Sequence, residues 1–476
     1  MNKNLSLNTD SYKVSMWKQY PEGTEAVYSY IEARGNDEGF KETVFFGLQA
    51  FIREYLSDPV TENDVRVAEA FWTAHGEPFN IDGWMYIVDE LEGVLPITIH
   101  ALPEGTPISN GTVMLTIENT DPKCFWLTTW LETALLRAIW YPSTVATMSR
   151  EAKKIIAKAL HATGDIESLP FKLHDFGARG VSSEESATLG GMSHLVNFSG
   201  TDTMSGVLGA YMYYDEQMAG FSIPASEHST ITSWGKDFEV DAYANMLEQF
   251  KDSPLVAVVS DSYDIYNAVN NLWGDALIEK VKARKGFLIV RPDSGDPVTV
   301  VTKVAIMLDD KFGSEINELG YKVLNNVRIM QGDGIDLKTI QAILDSLKAH
   351  NFSANNIAFG MGGALLQGWT RDTFKFAMKC SAIKVNGEWR DVFKDPITDK
   401  VKKSKKGRFA VHYDCGLGSC GFRNVPEFVN EEKHQQNYLE PVWNSGRLLR
   451  EESFSEVRER AALKESDYVS HSYDRY

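Results

Sequence analysis

The sequence predicts an α/β protein whose middle is a ladder of parallel strands and helices, flanked by two mixed regions that complete each other. Three observations carry this. From Phe171 onward, short β-branched apolar runs end one after another in an acidic residue, a histidine or a glycine: FKLHDFGARG, HLVNFSGTDT, FSIPASEHST, PLVAVVSDSYD, GFLIVRPDSGD, VRIMQGDGID and NIAFGMGG. The markers Phe176, Asp202, His228, Asp261, Asp293, Asp333 and Gly362 recur 26 to 40 residues apart, the length of one strand plus one helix. Neither flank reads as a complete domain by itself. A ladder of this kind buries its strands and gathers their polar ends on one face, where α/β enzymes place active sites.

Taken in order, residues 1–150 form an N-terminal α/β region. YSYIEAR and ITIHALPEGTPI read as strands, and FWLTTWLETALLRAIWY from Phe125 as a buried, Trp-rich helix. Glu132 and Arg137 interrupt that run, and it falls short of a membrane span. Residues 151–375 are the ladder. Ser182 with Glu185 predicts a capping box, and Asp296 before Pro297 places a cap ahead of a proline in the first turn. Asp336 precedes Leu337, Ile340, Ile343, Leu344 and Leu347, one apolar helix face. Residues 376–476 return to strands and basic loops, as in AIKVNGEWRDVF and KVKKSKKGRF, and are expected to pack back on the N-terminal region.

Composition narrows the function. At 476 residues, 43% hydrophobic and 24% charged, the chain has the make-up of a globular protein with a large core. A net charge of −18 argues against a nucleic-acid surface, which needs clustered Lys and Arg. MNKNLSLNTD lacks the apolar stretch of a secretory signal, and no membrane partner is expected. The four cysteines lack C-x-x-C spacing, which suits a reducing, cytoplasmic compartment.

The strand ends carry the chemistry. In RPDSGDP, Arg291 and Asp293 set a guanidinium beside a carboxylate, as a phosphorylated, metal-bound substrate requires; the alternative is that Asp293 and Ser294 cap a turn. In QGDGID, Gly332 lets backbone approach a ligand while Asp333 bonds sugar hydroxyls, against a plain Asp-Gly turn. FGMGG, with Gly362 and Gly363, offers backbone N–H groups to a phosphate. His228 follows a glutamate among small hydroxyl residues, and a lone histidine is more often structural than catalytic. DFG at Asp175 to Gly177 suggests a kinase, but the Gly-rich loop and H-R-D motif of kinases are missing. Tyr12 and Phe176 are ordinarily core residues, although a flat ring at a strand end can stack on a flat substrate.

Together these segments resemble a known family. TDSYK at Thr9 to Lys13, KLHDFGARGVSS, HLVNFSGTDT, EHSTIT, VVSDSYDIYN, IVRPDSGDP, QGDG, NIAFG, and KDP followed by KSKKGR resemble the nicotinamide phosphoribosyltransferases, in order over nearly the whole chain. The resemblance implies a type II phosphoribosyltransferase fold: an irregular α/β barrel beside a second α/β domain, as a homodimer with two shared active sites. It implies transfer from 5-phosphoribosyl-1-pyrophosphate to nicotinamide, with Mg2+ accompanying pyrophosphate and ATP as co-substrate through a phosphohistidine.

By position, the resemblance implies that Phe176 and the partner copy's Tyr12 sandwich the pyridine ring. Asp202 accepts from the carboxamide N–H, with Ser222 also contacting substrate, and Arg179 lies near the carbonyl and the phosphoribosyl group. His228 is the phosphorylated residue, with Asp261 and Asp293 orienting it and the ribose or magnesium. Arg291, Lys379 and, from the partner copy, Arg371 hold phosphate; Gly332 and Asp333 hold ribose; Gly362 and Gly363 hold the 5′-phosphate. The KKSKKGR run near Lys402 to Arg408, otherwise a solvated loop, becomes an anion-guiding rim. Ala178, Met361 and Ala377 depart from the family pattern on the phosphate side. Two rival readings remain: a nicotinate phosphoribosyltransferase, which the carboxylate of Asp202 opposes by like-charge repulsion, and a non-catalytic interaction protein on a retired enzyme fold.

Overall fold

The apolar runs of the ladder form one sheet in the computed structural model, which describes residues 4–398, 403–416, 419–427 and 436–469. Its strands lie in the order Gly200–Thr201, Leu173–Asp175, Ile357–Met361, Val327–Gln331, Phe287–Arg291 and Leu255–Val259. Every adjacent pair is parallel. Val256 to Val259, Leu288 to Val290 and Ile329 to Gln331 are buried without alternation, as a parallel sheet covered on both faces demands.

FSIPASEHST does not form the strand that the ladder rhythm suggests. Phe221–Ser226 instead joins the two sheet edges. Thr201 N–H donates to Phe221 O at 3.0 Å and Phe221 N–H to Ser199 O at 2.8 Å, while Ala257 N–H donates to Pro224 O and Ser226 N–H to Ala257 O, both at 2.9 Å. Pro224 has no N–H to give a ladder, so the segment pairs only through isolated bridges. The barrel closes, and it is irregular for this reason. Ala257, Ile289 and Met330 pack in its interior, with Phe176, Ile223, Leu255 and Ala358 against them.

The helix signals fare differently. Asp296 caps Pro297–Phe312, accepting the Thr299 N–H at 2.8 Å, and Asp336 caps Leu337–Ala349, which buries Ile340, Ile343, Leu344 and Leu347. The expected box at Ser182 and Glu185 is displaced by one residue. Ser183 is the cap of Glu184–Leu195 and accepts the Ser186 N–H at 3.1 Å, because the Ser182 N–H is taken by the Gln367 side chain.

The chain divides into two units. One contains residues 148–211, 217–368 and 462–476 and holds the barrel; the other contains residues 1–147, 212–216 and 369–461. In the latter, an antiparallel sheet of seven strands runs Glu388–Asp391, Ala377–Val385, Thr24–Glu32, Val113–Asn119, Ile97–Ala101, Glu440–Asn444 and Arg447–Leu448. Segments far apart in sequence thus share one sheet, which neither could form alone. The Trp-rich run is two helices, Leu127–Trp130 and Glu132–Thr163. Trp126 and Trp130 meet Trp84 edge-on with ring centroids 5.2 and 5.4 Å away. Among the described residues no helix is long and apolar enough to cross a membrane. Cys124 and Cys380 are free thiols, whereas Cys415 is disulfide-bonded and departs from the thiol chemistry expected of a reducing compartment.

Candidate active site

Six of the marked residues follow a barrel strand within two positions and His228 follows the bridging segment Phe221–Ser226, so the marked side chains collect at the carboxyl ends of the strands. The tightest group surrounds His228, the first residue of the short helix His228–Thr232. Its Nε2 lies 2.9 Å from Asp261 Oδ1, and Asp261 is almost wholly buried while the histidine is 41% exposed. The other Asp261 oxygen accepts the Asp293 N–H at 3.0 Å and the Ser294 hydroxyl. Asp261 is therefore held from one side and holds the imidazole on the other. A ring donating through Nε2 leaves Nδ1 with its lone pair free, the nucleophilic atom of a neutral imidazole. That Nδ1 faces Asp293 Oδ2 at 3.9 Å.

Arg291 closes the group. Its guanidinium is 3.6 Å from Asp293 Oδ2, 3.5 Å from Ser226 O, and over the Phe176 ring at 6.0 Å. Burial raises the Asp293 pKa; Arg291 opposes the shift, and Asp261 and Asp333 add to it. Asp333 is exposed at the next strand end, its carbonyl accepting from the buried Gln331 side chain at 2.9 Å.

Phe176 lies against backbone that only glycine permits. A Cβ on Gly360 would fall 2.0 Å from the ring, and one on Gly332 would fall 3.3 Å from it and 3.6 Å from Asp293 Oδ1. The Phe176 N–H donates to Met361 O at 3.0 Å, and the Asp202 N–H to Asp175 O at 2.9 Å, so the ring and the Asp202 carboxylate are carried on neighbouring strand ends. The Ser222 hydroxyl donates to the exposed Asp202. Burial raises the Asp175 pKa to about 6, and the Gly177 N–H works against that shift. A Cβ on Gly180 would come within 3.6 Å of Gly363, so the loop of the exposed Arg179 lies beside the glycine turn; Gly363 itself faces open space.

Tyr12, Arg371 and Lys379 belong to the other unit. Tyr12 is 63% exposed in the turn Ser11–Lys13, and that turn is pinned: Thr9 Oγ1 donates to Trp130 O at 2.8 Å, Ser11 Oγ meets His75 Nε2 at 2.9 Å, and the buried Lys13 pairs with Glu132 at 2.6 Å. Arg371 is exposed beside Asp372 at 2.9 Å. Lys379 donates to Met378 O at 2.7 Å, and burial lowers its pKa. In the basic run, Lys402 lies outside the described residues. Lys403, Lys405, Lys406 and Arg408 each face an acid: Asp395, Glu32, Asp391, and Glu118 with Glu427.

Sequence reasoning missed three contributors. Asp175 reads only as the first residue of the DFG run, Ser294 as a turn former and Gln331 as the residue that opens QGDGID; each acts through a contact that no spacing rule signals.

Known proteins match this arrangement. The profile of the nicotinate phosphoribosyltransferase family matches residues 171–446, and that of the nicotinamide phosphoribosyltransferase N-terminal domain residues 4–99. A nicotinamide phosphoribosyltransferase of Xanthomonas campestris is 52% identical over 96% of this chain and 98% of its own length, and one of Mycoplasma pneumoniae is 34% identical over 85% and 94%. The fold is shared with nicotinate-nucleotide pyrophosphorylase of Pyrococcus furiosus, at a TM-score of 0.62, 18% identity and coverage of 98% and 96%. Human nicotinic acid phosphoribosyltransferase shares it at 0.59, 16%, and 95% and 92%. The order of motifs, the closed barrel with its polar strand ends and the near-full-length relatives agree: the chain belongs to the nicotinamide phosphoribosyltransferase family of pentosyltransferases.

Proposed function

We propose that this protein joins nicotinamide to 5-phosphoribosyl-1-pyrophosphate, giving nicotinamide mononucleotide and pyrophosphate for NAD biosynthesis. The observation that carries the reading is the exposed Asp202 carboxylate on the strand end next to the Phe176 ring. A ring face beside an obligate acceptor suits a flat heterocycle bearing an amide N–H, and repels the corresponding acid. Ser222, already donating to Asp202, orients that acceptor. The relatives named above support the same substrate.

The pyridine nitrogen needs no base to become nucleophilic. The work is to place it and to stabilise an oxocarbenium-like ribosyl centre and a leaving pyrophosphate. Gly332 and Asp333 hold the ribose; Gly362 and the open Gly363 hold the 5′-phosphate, with Arg179 beside them; Arg291 binds phosphate, and Lys379 is a further anion contact. The donor set fits magnesium carried in by pyrophosphate: Asp293, near Asp261 and Asp333, would offer an oxygen to a cation. When bound, magnesium neutralises the charge of the leaving group. Tyr12 and Arg371 complete the site from the second copy of a homodimer, for which the exposed apolar Met204, Leu208 and Tyr211 on one helix supply a contact face. The phosphorylated substrates do not cross membranes unaided, which favours the cytoplasm.

ATP enters through His228. With Nε2 held by Asp261, Nδ1 is the ring atom left to take the γ-phosphoryl group of ATP, the bond to the bridging oxygen breaking and ADP leaving, and phosphohistidine would then add negative charge beside Asp293 and the developing cation. Purified protein should release pyrophosphate from 5-phosphoribosyl-1-pyrophosphate only when nicotinamide is added. Labelled ATP should leave acid-labile, base-stable phosphate on the wild type and none on His228→Ala, which retains slower mononucleotide synthesis. Pyrophosphate release without dependence on nicotinamide overturns the activity; label persisting on His228→Ala overturns the acceptor.

A further inference from the structure

The last residue of the Leu173–Asp175 strand is a carboxylate with no exposed surface, and the chemistry above leaves it unused. It stands between the two groups that read the ring. Its Oδ1 accepts the Gly177 N–H at 2.7 Å, closing a tight turn around Phe176. Its main-chain oxygen accepts the Asp202 N–H at 2.9 Å. The Phe176 N–H donates across to Met361 O, so the peptide unit between Asp175 and Phe176 ties the strand ends on either side of it, and the carboxylate holds the turn that follows.

The carboxyl sits in close packing: a Cβ on Gly177 would lie 3.0 Å from Oδ1 and 2.6 Å from the Leu366 side chain, and one on Gly191 3.4 Å from Oδ2 and 2.8 Å from the Thr203 methyl group. Burying a carboxylate carries a desolvation cost that an apolar side chain of the same size avoids, so packing alone does not account for aspartate here. Its hydrogen-bond geometry does.

We propose that Asp175 is a positioning residue that fixes Phe176 and Asp202 in one register, so that ring stacking and amide recognition are set together. This rests on the reading of Phe176 and Asp202 as the nicotinamide contacts. Asp175→Asn keeps an acceptor for Gly177, whereas Asp175→Ala removes it and leaves the main-chain oxygen.

The test is steady-state kinetics on the full-length enzyme, with Phe176→Ala and Asp202→Ala as controls and thermal melting to establish folding. Loss of one buried hydrogen bond predicts a KM for nicotinamide raised about tenfold in Asp175→Ala. The KM for 5-phosphoribosyl-1-pyrophosphate should stay within about twofold, and Asp175→Asn should recover most of the loss. Asp175→Ser gives the same comparison if the alanine variant does not fold. If the controls raise the nicotinamide KM while the Asp175 variants raise both KM values equally or neither, the positioning role is overturned. If the controls leave it unchanged, the failure lies with the reading of the ring site, and the proposal falls with it.

Discussion

Asp175 and Asp202 carry the same functional group into opposite environments, and the difference decides what each can do. Asp202 is exposed and can meet a substrate N–H; Asp175 is sealed, and burial lifts its pKa from 3.8 to about 6. Because the folded state binds that proton more tightly than the unfolded chain, the group favours folding most below about pH 4, and this contribution is lost as pH rises through about 6. Asp175→Asn carries no such charge. Its stability relative to wild type should therefore improve by about 2 kcal/mol between pH 4 and pH 7, read from denaturant unfolding at each pH; a constant difference would show that Asp175 is not forced to ionise in a buried site. Of the residues at this mouth, those at strand ends were legible as markers. Asp175, Ser294 and Gln331 were not, because a hydrogen bond that closes a turn or joins two loops leaves no periodicity behind.

At the scale of elements, two glycines at the end of one strand make opposite predictions. Gly360 is in the strand Ile357–Met361 with the Phe176 ring where its Cβ would be; Gly363 follows that strand and faces empty space. Gly360→Ala must push the ring aside. It should cost about 1–3 kcal/mol in stability and weaken nicotinamide use. Gly363→Ala should melt like wild type yet raise the KM for 5-phosphoribosyl-1-pyrophosphate, since the methyl group occupies the space assigned to phosphate. Equal melting of the two variants would contradict the packing described for Phe176. Caps with a single competent partner, Asp296 and Asp336, could be read from sequence, whereas Ser182 and Ser183 compete for one helix and a distant Gln367 decides between them. The Phe221–Ser226 segment was misread as a strand for a related reason: its pairing depends on the two sheet edges it joins, and Pro224 withholds the N–H a regular ladder needs.

For the whole molecule, the seven-stranded sheet shared by the first 119 residues and the strands after Ala377 follows the sequence expectation that the flanks need each other, while the barrel closure needed the family resemblance to be expected at all. The proposed dimer adds a prediction that no single chain can satisfy. If Tyr12 serves the partner's Phe176, Asp202 and His228, Tyr12→Ala and Asp202→Ala homodimers are both nearly inactive, and random subunit exchange between equal amounts restores about a quarter of wild-type activity, because half the dimers are mixed and one of their two sites is intact. No recovery despite demonstrated exchange would refute the shared site. The central claim is that the Phe176 and Asp202 pair reads an amide and rejects the acid, and its most direct test is the ratio of kcat/KM for nicotinamide to that for nicotinate in wild type and in Asp202→Ser. A charged acceptor worth about 1.5–3 kcal/mol, together with like-charge repulsion of the acid, predicts a wild-type ratio well above tenfold that falls by at least about tenfold in the variant. A ratio near one in the wild type, or one that the substitution leaves unchanged, would contradict it.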